Sequence, residues 1–111
     1  MNDLSPILQL RDVIVSTLEE HKAENITVID LKNKSDIADF MIIATGRSSK
    51  HVASTADFIM EKIKARGGQY LVEGMSNSDW VLIDTLDIIV HLFSKEKREL
   101  YALEQLWQSY K

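Results

Sequence analysis

The chain has 111 residues, a formal net charge of −4 and no cysteine. This length suits one domain, which we expect to span residues 1–111, and the lack of cysteine excludes disulfides, thiolate catalysis and cysteine-ligated zinc. Because bare nucleic acid is bound mainly through Lys and Arg, the acidic balance predicts little or no direct nucleic-acid binding. It favours a basic protein as the partner instead.

The first six residues lack a basic region followed by an apolar run, so we expect no signal peptide. The longest dense apolar stretches, 40–44 and 88–93, are far shorter than the roughly 20 residues that cross a bilayer. We therefore expect no membrane partner and a cytoplasmic location.

The first elements are a helix and a strand. Ser5-Pro6 is typical of an N-cap followed by proline at the first helical position, and apolar residues at helical spacing predict a helix over 5–22. The β-branched residues around Ile26 and Val28 predict a strand that ends near residues 30–31.

A second strand and helix follow the polar connection 32–39. The continuous apolar run 40–45 predicts a strand that is covered on both faces. Residues 46–49 should end the strand and cap a helix that stops at Gly67-Gly68. The free backbone N–H groups at this helix start could also bind an anion. Because the segment has a single glycine and no G-x-G-x-x-G or P-loop motif, we favour a simple turn. The helix should bury an apolar stripe of Val52, Ala56, Ile59, Met60 and Ile63.

The second half of the chain predicts three strands, at 69–72, 80–83 and 88–93. The short connection 84–87 implies an antiparallel hairpin. Helical spacing then runs from Ser94 to the end. The element order α-β-β-α-β-β-β-α predicts a single α/β domain with a mixed β-sheet and flanking helices.

Period-two alternation divides the hairpin into two faces. Trp80, His91 and Phe93 share one face with Leu82 and Ile89 between them, and this face is here called the aromatic face. The opposite face is the core face, and its residues are Val81, Ile83, Ile88, Val90 and Leu92. One interpretation is that a helix covers the aromatic face as well. The other is that this face is partly open and docks onto a partner, since aromatic residues with some polar chemistry are typical interface anchors.

The histidines do not predict a metal site. A single histidine such as His91 is more often a hydrogen-bonded structural residue than a ligand, and His21 and His51 belong to separate predicted helices. A metal needs several converging ligands. We therefore expect no metal and no cofactor.

Several short strings occur together and in order in the sequence. They are Ala44-Thr45-Gly46-Arg47-Ser48 followed by His51, Glu73-Gly74 followed by Trp80, Leu82-Ile83-Asp84 with Asp87, Val90-His91-Leu92-Phe93, and the C-terminal Arg98, Tyr101 and Leu103-Glu104-Gln105-Leu106-Trp107. This set resembles the ribosomal silencing factor family, also called Iojap-like. The resemblance extends from about Ile7 to the C-terminus.

The resemblance implies a function and a target. Members bind the fourteenth protein of the large ribosomal subunit, near the face that meets the small subunit, and so obstruct subunit joining and lower translation when nutrients are scarce. It also implies a fold similar to that of nucleotidyltransferases and a homodimer. The residues expected to contact the partner are Trp80, His91, Phe93, Glu73, Asp84, Arg98 and Tyr101.

Two other functions compete with docking on the ribosome. A nucleotidyltransferase-like enzyme needs two aspartates that converge on magnesium, whereas Asp84 and Asp87 are three residues apart and flank a tight turn. Ser48 with His51 lacks an orienting acid, so it forms no catalytic triad. We therefore expect no enzyme. A dimerising adaptor unrelated to ribosomes would use the same aromatic face.

Overall fold

The computed structural model describes residues 5–32, 34 and 36–97. The elements are α1 (Ser5–Glu20), β1 (Glu24–Asp30), β2 (Phe40–Gly46), α2 (Ser49–Ala65), β3 (Leu71–Glu73), β4 (Trp80–Asp84) and β5 (Ile88–Ser94). Residues 95–97 begin a further helical turn. The first seven predicted elements are confirmed in type and order, while most of the predicted C-terminal helix lies outside the described residues.

The five strands form one mixed sheet in the order β1-β2-β5-β4-β3. The central pair, β2 and β5, is parallel, and every other neighbouring pair is antiparallel. The predicted β4–β5 hairpin is confirmed, with Trp80 directly opposite Phe93. The sheet therefore has two antiparallel ribbons joined through a parallel centre.

The junction between β2 and α2 is compact for a steric reason. A β-carbon on Gly46 would lie 2.6 Å from the Cγ2 atom of Val52, so only glycine lets the helix start this close to the strand. Ser48 caps the helix, since its Oγ atom accepts a hydrogen bond from the backbone N–H of His51 at 3.1 Å. Gly67, at φ 77°, ends the helix in the left-handed conformation that glycine adopts readily.

The core face of the sheet carries both described helices. Ile14 and Leu18 of α1 pack there, and Val81 and Ile83 of β4 are fully buried beneath the helices, as alternation predicted. The buried stripe of α2 is Val52, Thr55, Ala56, Ile59 and Ile63, and the predicted Met60 is only partly buried beside it. Neither of these two helices is long and apolar enough to cross a membrane.

The aromatic face is buried at its centre. All seven residues of β2 are buried, which confirms the prediction that this strand is covered on both faces. Met41, Ile43 and Phe93 form a second buried cluster with Leu31, which follows β1. The two halves of the aromatic face therefore differ, because β2 and β5 are buried here while β3 and β4 are more open.

Candidate docking surface

The open part of the aromatic face is a strip of five residues from β3 and β4. The strand register pairs Leu71 with Asp84 and Glu73 with Leu82, so these side chains share the face of Trp80. Leu71 is 70% exposed and Trp80 is 37% exposed. We call these five residues, Leu71, Glu73, Trp80, Leu82 and Asp84, the open strip. It combines apolar side chains with two carboxylates.

Trp80 rests on a buried aromatic ring. The indole stacks on Phe93 with ring centroids 5.0 Å apart and planes 26° apart, and Phe93 itself is fully buried. This is a directly opposed cross-strand pair, in which aromatic rings contact each other over a large area. Phe93 therefore supports Trp80 from below and leaves its outer surface on the open strip.

His91 holds the polar atom of Trp80. The indole Nε1–H donates a hydrogen bond to His91 Nδ1 at 3.0 Å, across the diagonal of the β4–β5 pair. An Nδ1 atom that accepts this bond carries no proton, so a neutral His91 is the Nε2–H tautomer. Burial lowers the pKa of His91 to about 4, because the charged ring is poorly solvated between Ile43 and Leu82 of the neighbouring strands.

The loop between β3 and β4 fixes the backbone of Trp80. Gly74 has φ 91°, and a β-carbon on it would overlap the carbonyl oxygen of Trp80. The Gly74 carbonyl accepts a hydrogen bond from the N–H of Ser78 at 3.0 Å, and the Asp79 carbonyl accepts one from the N–H of Ser94 on β5 at 2.9 Å. The Glu73-Gly74 and Trp80 strings of the sequence thus meet in one close contact, a role for Gly74 that the sequence did not reveal.

The charges of the open strip are all negative. Neither Glu73 nor Asp84 forms an ion pair with a cation among the described residues, where the ion pairs are Arg11–Asp12 and Lys32–Asp30. Asp84 also shapes the turn after β4, since its Oδ1 atom accepts a hydrogen bond from the N–H of Leu86 at 2.8 Å. An exposed apolar strip whose carboxylates pair with no cation of the described residues suits a partner that is both apolar and basic.

The structure brings together five of the seven predicted contact residues. Trp80, Glu73 and Asp84 belong to the open strip, whereas Phe93 is fully buried and His91 is only 9% exposed. We therefore expect the last two to act beneath Trp80 rather than at the surface. The predicted contacts Arg98 and Tyr101 lie outside the described residues.

Sequence reasoning missed Leu71, which belongs to the same strip. Its strand β3 has only three residues, and alternation over three residues cannot reveal which face a side chain occupies. Only the antiparallel pairing of Leu71 with Asp84 places it beside the predicted site.

His51, near the start of α2, forms two hydrogen bonds with backbone groups. The Nδ1 atom of His51 accepts a hydrogen bond from the backbone N–H of Arg47 at 3.0 Å, so its Nε2–H donates to the carbonyl of His21 at 2.6 Å. His51 therefore ties the end of α1 to the start of α2.

Within the described part of the chain, no three His, Asp or Glu side chains are placed to hold a metal ion.

Comparisons with known proteins give a consistent result. Residues 5–111 match the family model described as "Ribosomal silencing factor during starvation". A ribosomal silencing factor from Zymomonas mobilis is 43% identical over 99 residues, which are 88% of this chain and 74% of that one. One from Haemophilus influenzae is 37% identical over 101 residues, which are 90% of this chain and 99% of that one.

More distant relatives extend this picture. The mouse protein named for mitochondrial assembly of the ribosomal large subunit is 31% identical over 86% of this chain and 44% of its own length. A crystal structure of a Chromobacterium violaceum protein superposes with a TM-score of 0.87 at 30% identity, over 92% of this chain and 86% of that one. Both the sequence and the fold are thus shared over nearly the whole chain.

Proposed function

The chain belongs to the ribosomal silencing factor family, and on that premise we propose that it docks on the large ribosomal subunit and obstructs joining of the small subunit. The contact on that subunit is its fourteenth ribosomal protein, and the outcome is lower translation under nutrient limitation. The name of the mouse relative, which refers to the large subunit, supports this choice of target. The action takes place in the cytoplasm.

The open strip is the structural observation that carries the docking. Trp80 is the expected anchor, because large aromatic side chains in well-packed positions contribute most of the binding energy at protein interfaces. Phe93 and His91 hold its ring from below before any partner arrives. A side chain that is already ordered loses less conformational entropy on binding, which favours affinity.

The carboxylates of Glu73 and Asp84 give the strip its charge preference. Proteins that bind ribosomal RNA need Lys and Arg to neutralise phosphates, so a ribosomal protein is a basic partner. Opposite charges accelerate association and disfavour acidic competitors. Because exposed charges are screened by salt, the affinity for large subunits should fall as ionic strength rises.

The test compares two exposed aromatic residues on opposite sides of the sheet. Trp80→Ala should weaken co-sedimentation with purified large subunits by about thirtyfold, the effect of losing an interface anchor worth roughly 2 kcal/mol. Phe58→Ala is the matched control, since Phe58 is 39% exposed but lies on α2 and stacks on His21. Equal losses in the two variants, or none in folded Trp80→Ala, would contradict docking through the strip.

The same variants test the consequence of docking. Wild-type protein and Phe58→Ala should shift mixtures of purified subunits from joined to separate particles in a sucrose gradient, and Trp80→Ala should not. Binding to the isolated fourteenth ribosomal protein should show the same order of affinities. Binding to the subunit without binding to this protein would place the contact elsewhere.

The homodimer and the absence of catalysis are also part of the proposal. Sedimentation equilibrium over a range of concentrations measures self-association directly. Incubation with magnesium and labelled nucleoside triphosphates should give no turnover, because Asp84 and Asp87 flank a tight turn, an arrangement unlike the convergent pair of aspartates that holds magnesium. Saturable turnover that is abolished by Asp84→Ala would establish an enzyme instead.

A further inference from the structure

The indole nitrogen of Trp80 forms its hydrogen bond within the protein. Its Nε1–H, the one hydrogen-bond donor of an indole side chain, is directed to His91 Nδ1 at 3.0 Å. The indole therefore offers a partner its apolar ring surface, while its donor is already engaged.

His91 lies in a buried, apolar position where a neutral imidazole can accept the hydrogen bond from Trp80. The residue is 9% exposed and lies in register between Ile43 and Leu82, two apolar neighbours. Leucine or phenylalanine would fill such a position without the cost of burying polar nitrogens. The hydrogen bond to Trp80 accounts for a histidine here, because it supplies the partner that a buried ring nitrogen requires.

We infer that His91 is a positioning residue of the docking surface, which orients Trp80 toward the ribosomal partner by accepting its indole proton at Nδ1. This inference rests on the proposed function and adds how Trp80, its main contact residue, is oriented before binding. Phe93 supports the face of the indole ring, but a stacked indole can still turn about its χ2 bond and present its opposite edge to His91. The bond to His91 removes that freedom. Lowering of the His91 pKa by burial keeps the ring neutral at physiological pH, as the bond requires.

A consequence for the partner follows from the same bond. Since the indole N–H is engaged, the group that meets Trp80 is an apolar or cationic side chain rather than a hydrogen-bond acceptor. A Lys or Arg above the ring suits the carboxylates of Glu73 and Asp84 on the same strip. The ring, not its nitrogen, is then the recognised feature.

Two substitutions at position 91 separate positioning from packing. His91→Phe keeps an aromatic ring in the buried site and removes the acceptor, whereas His91→Asn offers an amide oxygen near the place of Nδ1. We expect His91→Phe to weaken binding to large subunits by about threefold to tenfold and His91→Asn to recover part of that loss. The third variant, Trp80→Phe, removes the donor instead.

A double-mutant cycle then measures the bond itself. If His91 acts through Trp80, the combined variant Trp80→Phe and His91→Phe should bind no more weakly than Trp80→Phe alone. The indole N–H resonance of ¹⁵N-labelled Trp80 should move in His91→Phe and return partway in His91→Asn. A merely structural histidine would not give this pattern, and additive losses in the cycle would overturn the inference.

The outcomes distinguish this inference from the proposed function. If wild-type protein does not bind large subunits, the proposed function fails, and the Trp80 resonance still reports whether the bond forms. If wild-type protein binds and folded His91→Phe binds equally well, the positioning role is wrong and docking stands. Should His91→Phe fail to fold, His91→Asn and Trp80→Phe test the same bond in the binding assay.

Discussion

Gly74 lies directly against the carbonyl oxygen of Trp80, with no room for a side chain between them. The contact joins the end of β3 to the first residue of β4, across the loop of residues 74–79. It also requires the left-handed conformation of Gly74, at φ 91°. A backbone contact of this kind fixes the position of Trp80, the main residue of the proposed docking surface, without touching its side chain.

Substitution of Gly74 should therefore damage both folding and docking. In Gly74→Ala the new methyl group overlaps the Trp80 carbonyl, so β4 must shift. We expect the free energy of unfolding to fall by more than about 2 kcal/mol, since a steric shift adds to the roughly 1 kcal/mol cost of the left-handed conformation. Urea unfolding and large-subunit binding measure the two effects.

Gly67→Ala is the matched control for that prediction. Gly67 has a similar φ of 77°, but a β-carbon there would meet nothing within 4 Å. Only the conformational cost of about 1 kcal/mol should remain, with docking unchanged. If the two alanine variants lost equal stability, the close contact at Trp80 would not be the cause.

Leu86 should be a site where glycine increases stability. It has φ 79° in the tight turn between β4 and β5, and its side chain is 77% exposed. Leu86→Gly removes an unfavourable left-handed leucine worth about 1–2 kcal/mol and adds backbone entropy to the unfolded chain worth about 0.5–1 kcal/mol. We expect the free energy of unfolding, measured with urea, to rise by up to about 1.5 kcal/mol.

Leu71→Gly provides the comparison, because Leu71 is almost as exposed but lies in the extended strand β3. Glycine there brings only the entropic penalty and should lower stability. The opposite signs of the two changes test the backbone argument. A loss of stability in Leu86→Gly would refute it.

The bridge made by His51 should contribute measurably to stability. His51→Ala removes an acceptor for the N–H of Arg47 and a donor to the carbonyl of His21. Leaving two backbone groups without these partners should cost about 1–3 kcal/mol. His51→Gln reaches the His21 carbonyl with its amide nitrogen, so it should lose less. Identical unfolding midpoints for wild type and His51→Ala would exclude the bridge.

The stability of the protein should fall in mild acid because of His91. Its pKa is lowered from 6.5 to about 4 by burial, so below pH 6.5 the unfolded chain binds a proton that the folded protein does not. Stability is therefore complete above about pH 6.5 and declines as the pH approaches 4. The full loss amounts to roughly 3 kcal/mol.

Comparison with His91→Asn isolates this contribution, since asparagine does not titrate in this range. The difference in free energy of unfolding between wild type and variant should shrink steadily from pH 7 to pH 4. His21 and His51 remain in both proteins and cancel in the difference. A difference that stays constant over this range would mean that His91 titrates alike in both states.

Much of the fold follows from local patterns in the sequence. Helix caps, glycines and the spacing of apolar residues located two helices and five strands. They could do so because backbone sterics and backbone hydrogen bonding act over only a few residues. The strand order did not follow, since β2 pairs in parallel with β5, more than forty residues along the chain. Such a pairing depends on which long-range contacts bury the most apolar surface. The local spacing of apolar residues does not reveal which strands these contacts join.

The sequence by itself determined that Trp80, His91 and Phe93 share one face, because alternation in a strand has a fixed period. It also determined the family, through strings that occur together along the chain. Only the tertiary structure decided that Phe93 and His91 lie beneath Trp80. The reason is position in the sheet: β5 lies at the centre and is covered from both sides, whereas β4 is next to the short edge strand β3 and leaves its aromatic residue within reach of a partner.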